Sequence, residues 1–331
     1  MAAWHLGFFQ RLTHTHYEGH LDVNPDVAKL FILGCHRSGT TMLQQALNRH
    51  SMIAIPPETK FFSAFLGHSR RCQKRRLCKI NRDLQINLQP PRQAIQEQCN
   101  AREFFEQIAR AYLTRLNRPD VVYFGEKTPV HCGYVPQIKR LFPRSKFLWI
   151  FRDGRDVALS LRSVPWLNRT LPVNFLIWLF YHAKQMRAAQ DKSLDILFLK
   201  YEDVVSQPLK EFGRIAQFLK VPFEPAVVFG HGNREGVLDW EYPWKKLALD
   251  PITSSRIGLW RKEMSGTEVE FLEWLGGRAL MRLNYPLAST NPKWSNLLGC
   301  PKMLLDLGSL VCRVPVDEMA NQFFSRPICF G

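Results

Sequence analysis

Residues 29–50 commit this chain to one class of fold. KLFILG (29–34) is a short apolar run ending in glycine, CHRSG follows without regular pattern, and TTMLQQALNRH (40–50) sets Met42, Leu43, Ala46 and Leu47 on one helical face. A buried strand, a glycine-flanked loop and a helix, in that order, form the opening unit of an α/β sheet. The pattern returns along the chain. FLWIF (147–151) leads through RDGRD into the helical VALSLRS (157–163), and LDILFLKY (194–201) leads through EDVVSQP into LKEFGRIAQFLK (209–220). VVYFGEKTP (121–129) reads as a fourth strand carrying Glu126, Lys127 and Thr128 at its C-terminal end, and helical stretches lie at 101–117 and 174–190. Strands alternating with helices predict a three-layer α/β/α domain with a mostly parallel central sheet. Its ligands would sit outside the carboxyl ends of the strands.

The first loop has the frame of a phosphate cradle. Gly34 and Gly39 flank it, Thr40 and Thr41 follow, and its backbone N–H groups would meet an anion at a helix N-terminus. A loop built for a nucleoside triphosphate places Lys after the second glycine, to reach the β and γ phosphates, and then a hydroxyl to hold Mg²⁺. Here Thr40 stands at the lysine position and the only nearby cation is Arg37, inside the loop. A single phosphate-like group clamped by Arg37 fits better than a triphosphate. A second anion site is readable where Arg152 closes FLWIF and Ser160 lies eight residues on, within the following helix. Arg152 supplies a planar fork for another phosphate. The alternative is that Arg152, Asp153, Arg155 and Asp156 satisfy one another as a surface charge network.

Charge agrees with an anionic ligand. Lys plus Arg number 45 against 29 Asp plus Glu, a net +16, which suits nucleic acid, a membrane face or a phosphorylated or sulfated small molecule. At 46% hydrophobic and 22% charged residues the composition excludes a disordered, collagenous or coiled-coil chain. HSRRCQKRRLCKINR (68–82) holds seven cations, no acid and no Phe, Tyr or Trp, whereas a nucleic-acid surface would interleave stacking aromatics. No GxGxxG follows any strand, which disfavours a nicotinamide dehydrogenase. Eight scattered cysteines read as reduced thiols in a cytoplasmic setting, and HTHYEGH (14–20) as a polar segment rather than a metal site. MAAWHLGFFQRL lacks the pattern of a secretory leader, and FLIWLF (175–180) is too short to cross a bilayer. The expected organisation is a lead-in over 1–28, an α/β domain over 29–290 with a basic insertion at 68–100, and a helical tail over 291–331.

Two motifs in this order resemble one enzyme family. KLFILGCHRSGTTML is similar to the 5′-phosphosulfate loop of sulfotransferases that use 3′-phosphoadenosine-5′-phosphosulfate, including the Arg-Ser-Gly-Thr-Thr loop of tyrosylprotein sulfotransferases. FLWIFRDGRDVALSL resembles their 3′-phosphate motif, with Gly154 where the family often has Pro, and GEKTPVH matches a segment common in bacterial-type members. The resemblance spans roughly residues 29–285. It implies that Arg37, Ser38, Gly39, Thr40 and Thr41 take the 5′-phosphate and sulfonate, and that Arg152 and Ser160 take the 3′-phosphate. Ser254 and Arg256, in TSSRIGLWRKEMS, would lie near the nucleotide, with Trp260 more a core residue than an adenine platform.

Lys127 would neutralise the departing phosphate oxygen, and no metal is needed. The spacing from Arg37 to Glu58 resembles that between the loop arginine and the catalytic glutamate of tyrosylprotein sulfotransferases. Pro56 and Pro57 stiffen the approach to Glu58, and Phe61 and Phe62 could desolvate it and raise its pKa toward a useful range. His131 is the second candidate for the base, and Lys127 could instead pair with Glu126. The acceptor group, a hydroxyl or an amine, stays open among a glycan, a lipid, a small hydroxylated molecule and an acidic peptide. The run at 68–82 either steers an acidic acceptor or forms a solvated, mobile face, the plainer reading. The competing functions are a nucleotide kinase with an atypical loop, which Thr40 opposes, and a non-catalytic nucleic-acid-binding protein, which the aromatic-free basic run opposes.

Overall fold

The computed structural model describes residues 27–288, except 92–94, 96–97, 166–168 and 231–235. HTHYEGH and the expected tail lie outside the described residues. Five strands, β1 (Ala28–Leu33), β2 (Ile53–Ala54), β3 (Tyr123–Lys127), β4 (Lys146–Phe151) and β5 (Asp195–Lys200), pair in parallel in the order β2-β3-β1-β4-β5. β1, β4 and β5 read as mainly apolar runs because both sheet faces are covered. On one face Phe31, Leu33, Phe124, Phe147 and Trp149 enter a core with helices α2 (Phe61–Phe65), α4 (Gln98–Leu116), α5 (Val135–Leu141), α6 (Gly154–Arg162) and α7 (Leu171–Gln190). On the other, Leu30, Ile32, Leu148, Ile150 and Leu199 meet α1 (Thr40–Asn48), α8 (Tyr201–Ser206) and α9 (Pro208–Leu219). The three-layer α/β/α architecture is therefore present.

β1 has β3 on one flank and β4 on the other, with β3 entering after α1 and β2. Sheet growth reverses beside it, and in open α/β sheets the crevice at such a switch point holds the ligand. The loops leaving β1, β3 and β4 all open there. No helix of the described residues is long and apolar enough to cross a membrane.

The basic run departs from expectation. Arg70–Leu84 forms a 15-residue helix, α3, that buries Gln73, Leu77, Ile80 and Leu84 and exposes Arg71, Lys74, Arg75 and Arg82. The Gln73 side chain donates to the carbonyls of Phe65, His68 and Ile95, and Arg76 donates to the carbonyl of Thr59 at 2.7 Å. Only the outer half of the run is a solvated face; the inner half is fastened to the layer that carries Glu58. Beneath it Phe61, Phe62 and Phe65 join Phe104 and Phe105 in an aromatic cluster, with Phe61 and Phe105 edge to face at 5.0 Å.

Candidate active site

The loop between β1 and α1 is built for close approach. A side chain on Gly34 (φ 149°) would bring its Cβ within 2.3 Å of the Ile150 carbonyl, and one on Gly39 (φ 94°) within 2.6 Å of the Tyr201 ring. Arg37 itself takes the left-handed region, φ 66°. Gly39 caps α1 without a side chain, so the first-turn N–H groups face the loop uncapped by any side chain. Ser38 is fully buried, and its hydroxyl has no hydrogen-bond partner among the described residues. A buried orphan hydroxyl beside a helix N-terminus is what a bound anion would satisfy.

The predicted second cradle meets the first. Arg37 Nε donates to Ser160 Oγ at 3.0 Å, and Arg152 donates to the Arg37 carbonyl at 3.2 Å and to the Arg256 carbonyl. Arg152 lies over the Tyr201 ring at 4.5 Å and 3.5 Å from Asp156, with its Nε free of partners among the described residues. Burial, followed by the charges of Arg152 and Arg256, lowers the Arg37 pKa to about 10. Three guanidinium groups thus crowd one corner. Asp156 holds the late segment there, accepting from the N–H groups of Gly258 at 2.8 Å and Trp260 at 3.0 Å. Ser254 and Arg256 are exposed on that segment.

The alternative of a surface network is corrected. Asp153, Arg155 and Asp156 are buried; Arg155 bridges Asp153 at 2.7 Å and Glu273 at 2.5 Å and stacks 3.7 Å from the Trp260 ring. The mutual pairing is thus present but buried: these contacts occupy Arg155 fully, while Arg152, beside Asp156, keeps its Nε without a partner among the described residues.

Lys127 links the first loop, at Thr41, to a carboxylate that lies between two lysines. Glu58 Oε1 lies 2.5 Å from Lys127 Nζ and 3.2 Å from Lys245 Nζ, and Lys245 also pairs with Glu241 at 2.7 Å. Burial would raise the Glu58 pKa, but Lys127 and Lys245 outweigh it and hold the carboxyl well below the usual range. Burial is also the main cause that lowers the pKa of Lys127, which is fully buried and donates to Thr41 Oγ1 at 3.4 Å. The alternative pairing of Lys127 with Glu126 does not form, because neighbouring strand residues point to opposite faces of the sheet. Glu126 instead accepts from the hydroxyls of Thr59 at 3.0 Å and Thr128 at 2.5 Å.

His131 packs under the Glu58 loop. It is buried, its Nε2 accepts from the Phe62 N–H at 3.3 Å, and desolvation takes its pKa down to about 3. The nitrogen a base would use is already occupied.

Lys245, Glu241 and Arg76 escaped the sequence reading. Lys245 belongs to a short helix, α10 (Tyr242–Lys245), which ties the two groups of residues together: the Trp244 carbonyl accepts from Arg37 at 3.0 Å while Lys245 reaches Glu58. The lysine and glutamate stand 187 residues apart in sequence, and no local pattern signals the pair.

The comparisons with known proteins fit this geometry. A family model described as the sulfotransferase family matches residues 29–225. Protein-tyrosine sulfotransferase 1 of Danio rerio is 23% identical over 225 residues, 62% of this chain and 56% of the zebrafish protein. The protein-tyrosine sulfotransferase of Drosophila melanogaster is 25% identical over 226 residues, 62% of this chain and 40% of the fly protein. The chain thus spans about half the length of these relatives. Among solved structures, the sulfotransferase domain of the Synechococcus PCC 7002 olefin synthase superposes with TM-score 0.57 at 20% identity, covering 78% of this chain and 95% of that domain. The sulfotransferase domain of the curacin biosynthetic pathway gives TM-score 0.55 at 20% identity over 78% of this chain and 98% of its own. At such identity these neighbours speak for the fold, while the family match covers more than half of the chain and takes in both anion motifs. On that match, the chain belongs to the sulfotransferase family.

Proposed function

We propose that the protein moves the sulfonate of 3′-phosphoadenosine-5′-phosphosulfate to an acceptor hydroxyl. The observation that carries this reading is the meeting of Arg37 and Ser160 at 3.0 Å, which joins the two predicted anion cradles into one cleft ending at Glu58 and Lys127. The orphan Ser38 hydroxyl and the unpartnered Arg152 Nε supply unspent donors at either cradle. Arg152, Ser160 and Arg256 would hold the 3′-phosphate, with Ser254 on the same segment. Arg37, Ser38, Gly39, Thr40 and Thr41 would hold the 5′-phosphate and sulfonate.

The transfer is a displacement at sulfur. The acceptor oxygen forms the new S–O bond as the S–O bond to the 5′-phosphate breaks, and the departing phosphate keeps the electron pair. The acceptor proton passes to Glu58. Positioned bases of this kind contribute about 10²–10⁴ in rate. In the structure Glu58 is a weak base, because two ammonium groups hold its charge. Charge growing on the leaving oxygen would draw Lys127 away from Glu58, and the carboxylate would gain basicity at the moment the acceptor loses its proton.

The relatives named protein-tyrosine sulfotransferases favour a protein acceptor, with a tyrosyl hydroxyl as the nucleophile. A ³⁵S-labelled donor incubated with tyrosine-containing and serine-containing peptides tests the reading. Label is expected on tyrosine peptides and is expected to disappear with Glu58→Gln. Transfer of label to no hydroxyl-bearing acceptor, or phosphate transfer from ATP instead, would overturn it.

A further inference from the structure

The loop that presents Glu58 hangs from a second, fully buried carboxylate. Thr59 Oγ1 accepts from the Phe61 N–H at 3.1 Å and donates to Glu126 Oε2 at 3.0 Å. Thr128 Oγ1 accepts from the Lys60 N–H at 3.2 Å and donates to Glu126 Oε1 at 2.5 Å. An ionised carboxylate can only accept, so while Glu126 carries its charge each hydroxyl, already accepting from a backbone N–H, gives its single proton to that carboxylate. A third strut is His131, whose Nε2 accepts from the Phe62 N–H, which leaves the ring proton on Nδ1, 3.7 Å from Glu126 Oε1. Two consecutive backbone donors, Lys60 and Phe61, are thus tied through threonine hydroxyls to one carboxylate, and the next, Phe62, is held by His131 packed beside it.

The outer side of the loop is tied as well. Arg76 of α3 donates to the carbonyls of Thr59 at 2.7 Å and Glu58 at 3.4 Å. Lys60 sits in the left-handed region, φ 52°, a conformation that a non-glycine residue keeps only where its surroundings enforce it. Glu126 itself lies off the cleft, on the face of β3 opposite Lys127.

From this arrangement we infer that Glu126, with Thr59, Thr128 and His131, is the positioning group for the catalytic carboxylate, holding Glu58 in line with Lys127. The inference rests on the sulfotransferase reading for its effect on rate, and on the hydrogen-bond geometry alone for its effect on the loop. Its ionised form is the one that can accept from both threonines at once. Burial is the largest influence on this group and pushes its pKa up to about 7, with Glu58 in the same direction; Thr128, Thr59 and Lys127 act the other way. The remaining ionisable neighbours are Arg76, within electrostatic reach from α3, and His131, neutral at working pH. The loop should therefore loosen as the pH falls through about 7.

The test has two arms on the full chain. Hydrogen–deuterium exchange reads the amides of residues 60–62, and steady-state transfer reads kcat and the KM for the donor. Thr128→Val and Glu126→Gln are expected to raise exchange at 60–62 more than tenfold. They should lower kcat about 10–100-fold, the scale of a 1 Å misplacement, with donor KM within about threefold. Thr128→Ser restores the hydroxyl and should restore both readouts, which a loss of folding would not allow. The acid limb of kcat near pH 7 should vanish in Glu126→Gln. Unchanged exchange in Thr128→Val, or raised exchange with wild-type kcat, overturns the inference. Wild-type protein that transfers no sulfonate would overturn the functional reading, and the exchange arm still decides whether the loop is held as described.

Discussion

Replacing Lys127 by methionine removes the ammonium nearest Glu58 while keeping an unbranched chain of similar length in a fully buried position. Removing one partner of a buried ion pair costs about 3–5 kcal/mol when the other charge is left alone. Glu58 is not left alone, since Lys245 stays 3.2 Å from the same oxygen, so the loss of stability should stay below about 3 kcal/mol. Catalysis should suffer more. A preorganised donor aimed at developing charge is worth about 10²–10³ in kcat, and Lys127 is the cation that bridges Thr41, on the sulfonate side, and Glu58. Lys127→Met should therefore lower kcat by at least 100-fold while the affinity for adenosine 3′,5′-bisphosphate, measured by calorimetry, changes less than about threefold. Glu58→Gln should lose a comparable factor. Because both residues serve one step, the double variant should fall well short of the product of the single losses. A kcat within threefold of wild type, or strictly multiplicative losses, would refute the assignment of Lys127 to the leaving group.

The other predictions are independent of that residue. Phe105→Ala empties the centre of the aromatic cluster under Glu58 and should cost about 3–5 kcal/mol in denaturant unfolding; a loss below about 1 kcal/mol would show that the cluster collapses around the hole. Gly39→Ala forces a Cβ into the Tyr201 ring and strains the loop, so nucleotide affinity should fall more than thermal stability. Glu126 has a folded pKa raised from 4.5 to about 7, so between those values the folded protein holds the extra proton and the group makes stability fall as pH rises. Glu126→Gln removes that contribution, and its stability should climb with pH more steeply than wild type, by up to about 1.4 kcal/mol per pH unit between roughly pH 5 and 7. Parallel stability curves for the two proteins would show that Glu126 does not titrate in that window.

Much of the scaffold was legible because the physics that makes it is local. β1, β4 and β5 stand out as apolar runs since a parallel sheet covered on both faces has no polar side to alternate with. The glycines at 34 and 39 and the arginines at 37 and 152 mark loops at strand ends, and the fold then brings Arg37 to Ser160 across 123 residues. β2 went unread because two residues carry no period. α3 went unread because its buried positions, Leu77, Ile80 and Leu84, follow helical spacing but are outnumbered by cations. The alternative of a Glu126–Lys127 pair falls to a rule the sequence itself supplies, that adjacent strand residues face apart. Lys245 could not be anticipated, since it meets Glu58 only through tertiary packing.

The central claim is that one cleft grips a nucleotide at two separate phosphates. Calorimetry of wild type and Arg152→Ala with adenosine 3′,5′-bisphosphate and with adenosine 5′-monophosphate tests it most directly. Removing the guanidinium from the protein should remove most of what the 3′-phosphate contributes, with Ser160 and Arg256 supplying the rest. Wild type should prefer the bisphosphate by about 10–150-fold, the worth of a charge-assisted hydrogen bond, Arg152→Ala should lose most of that preference, and the monophosphate should bind both proteins alike. An undiminished bisphosphate preference in Arg152→Ala, or equal affinity of wild type for the two nucleotides, would contradict the account.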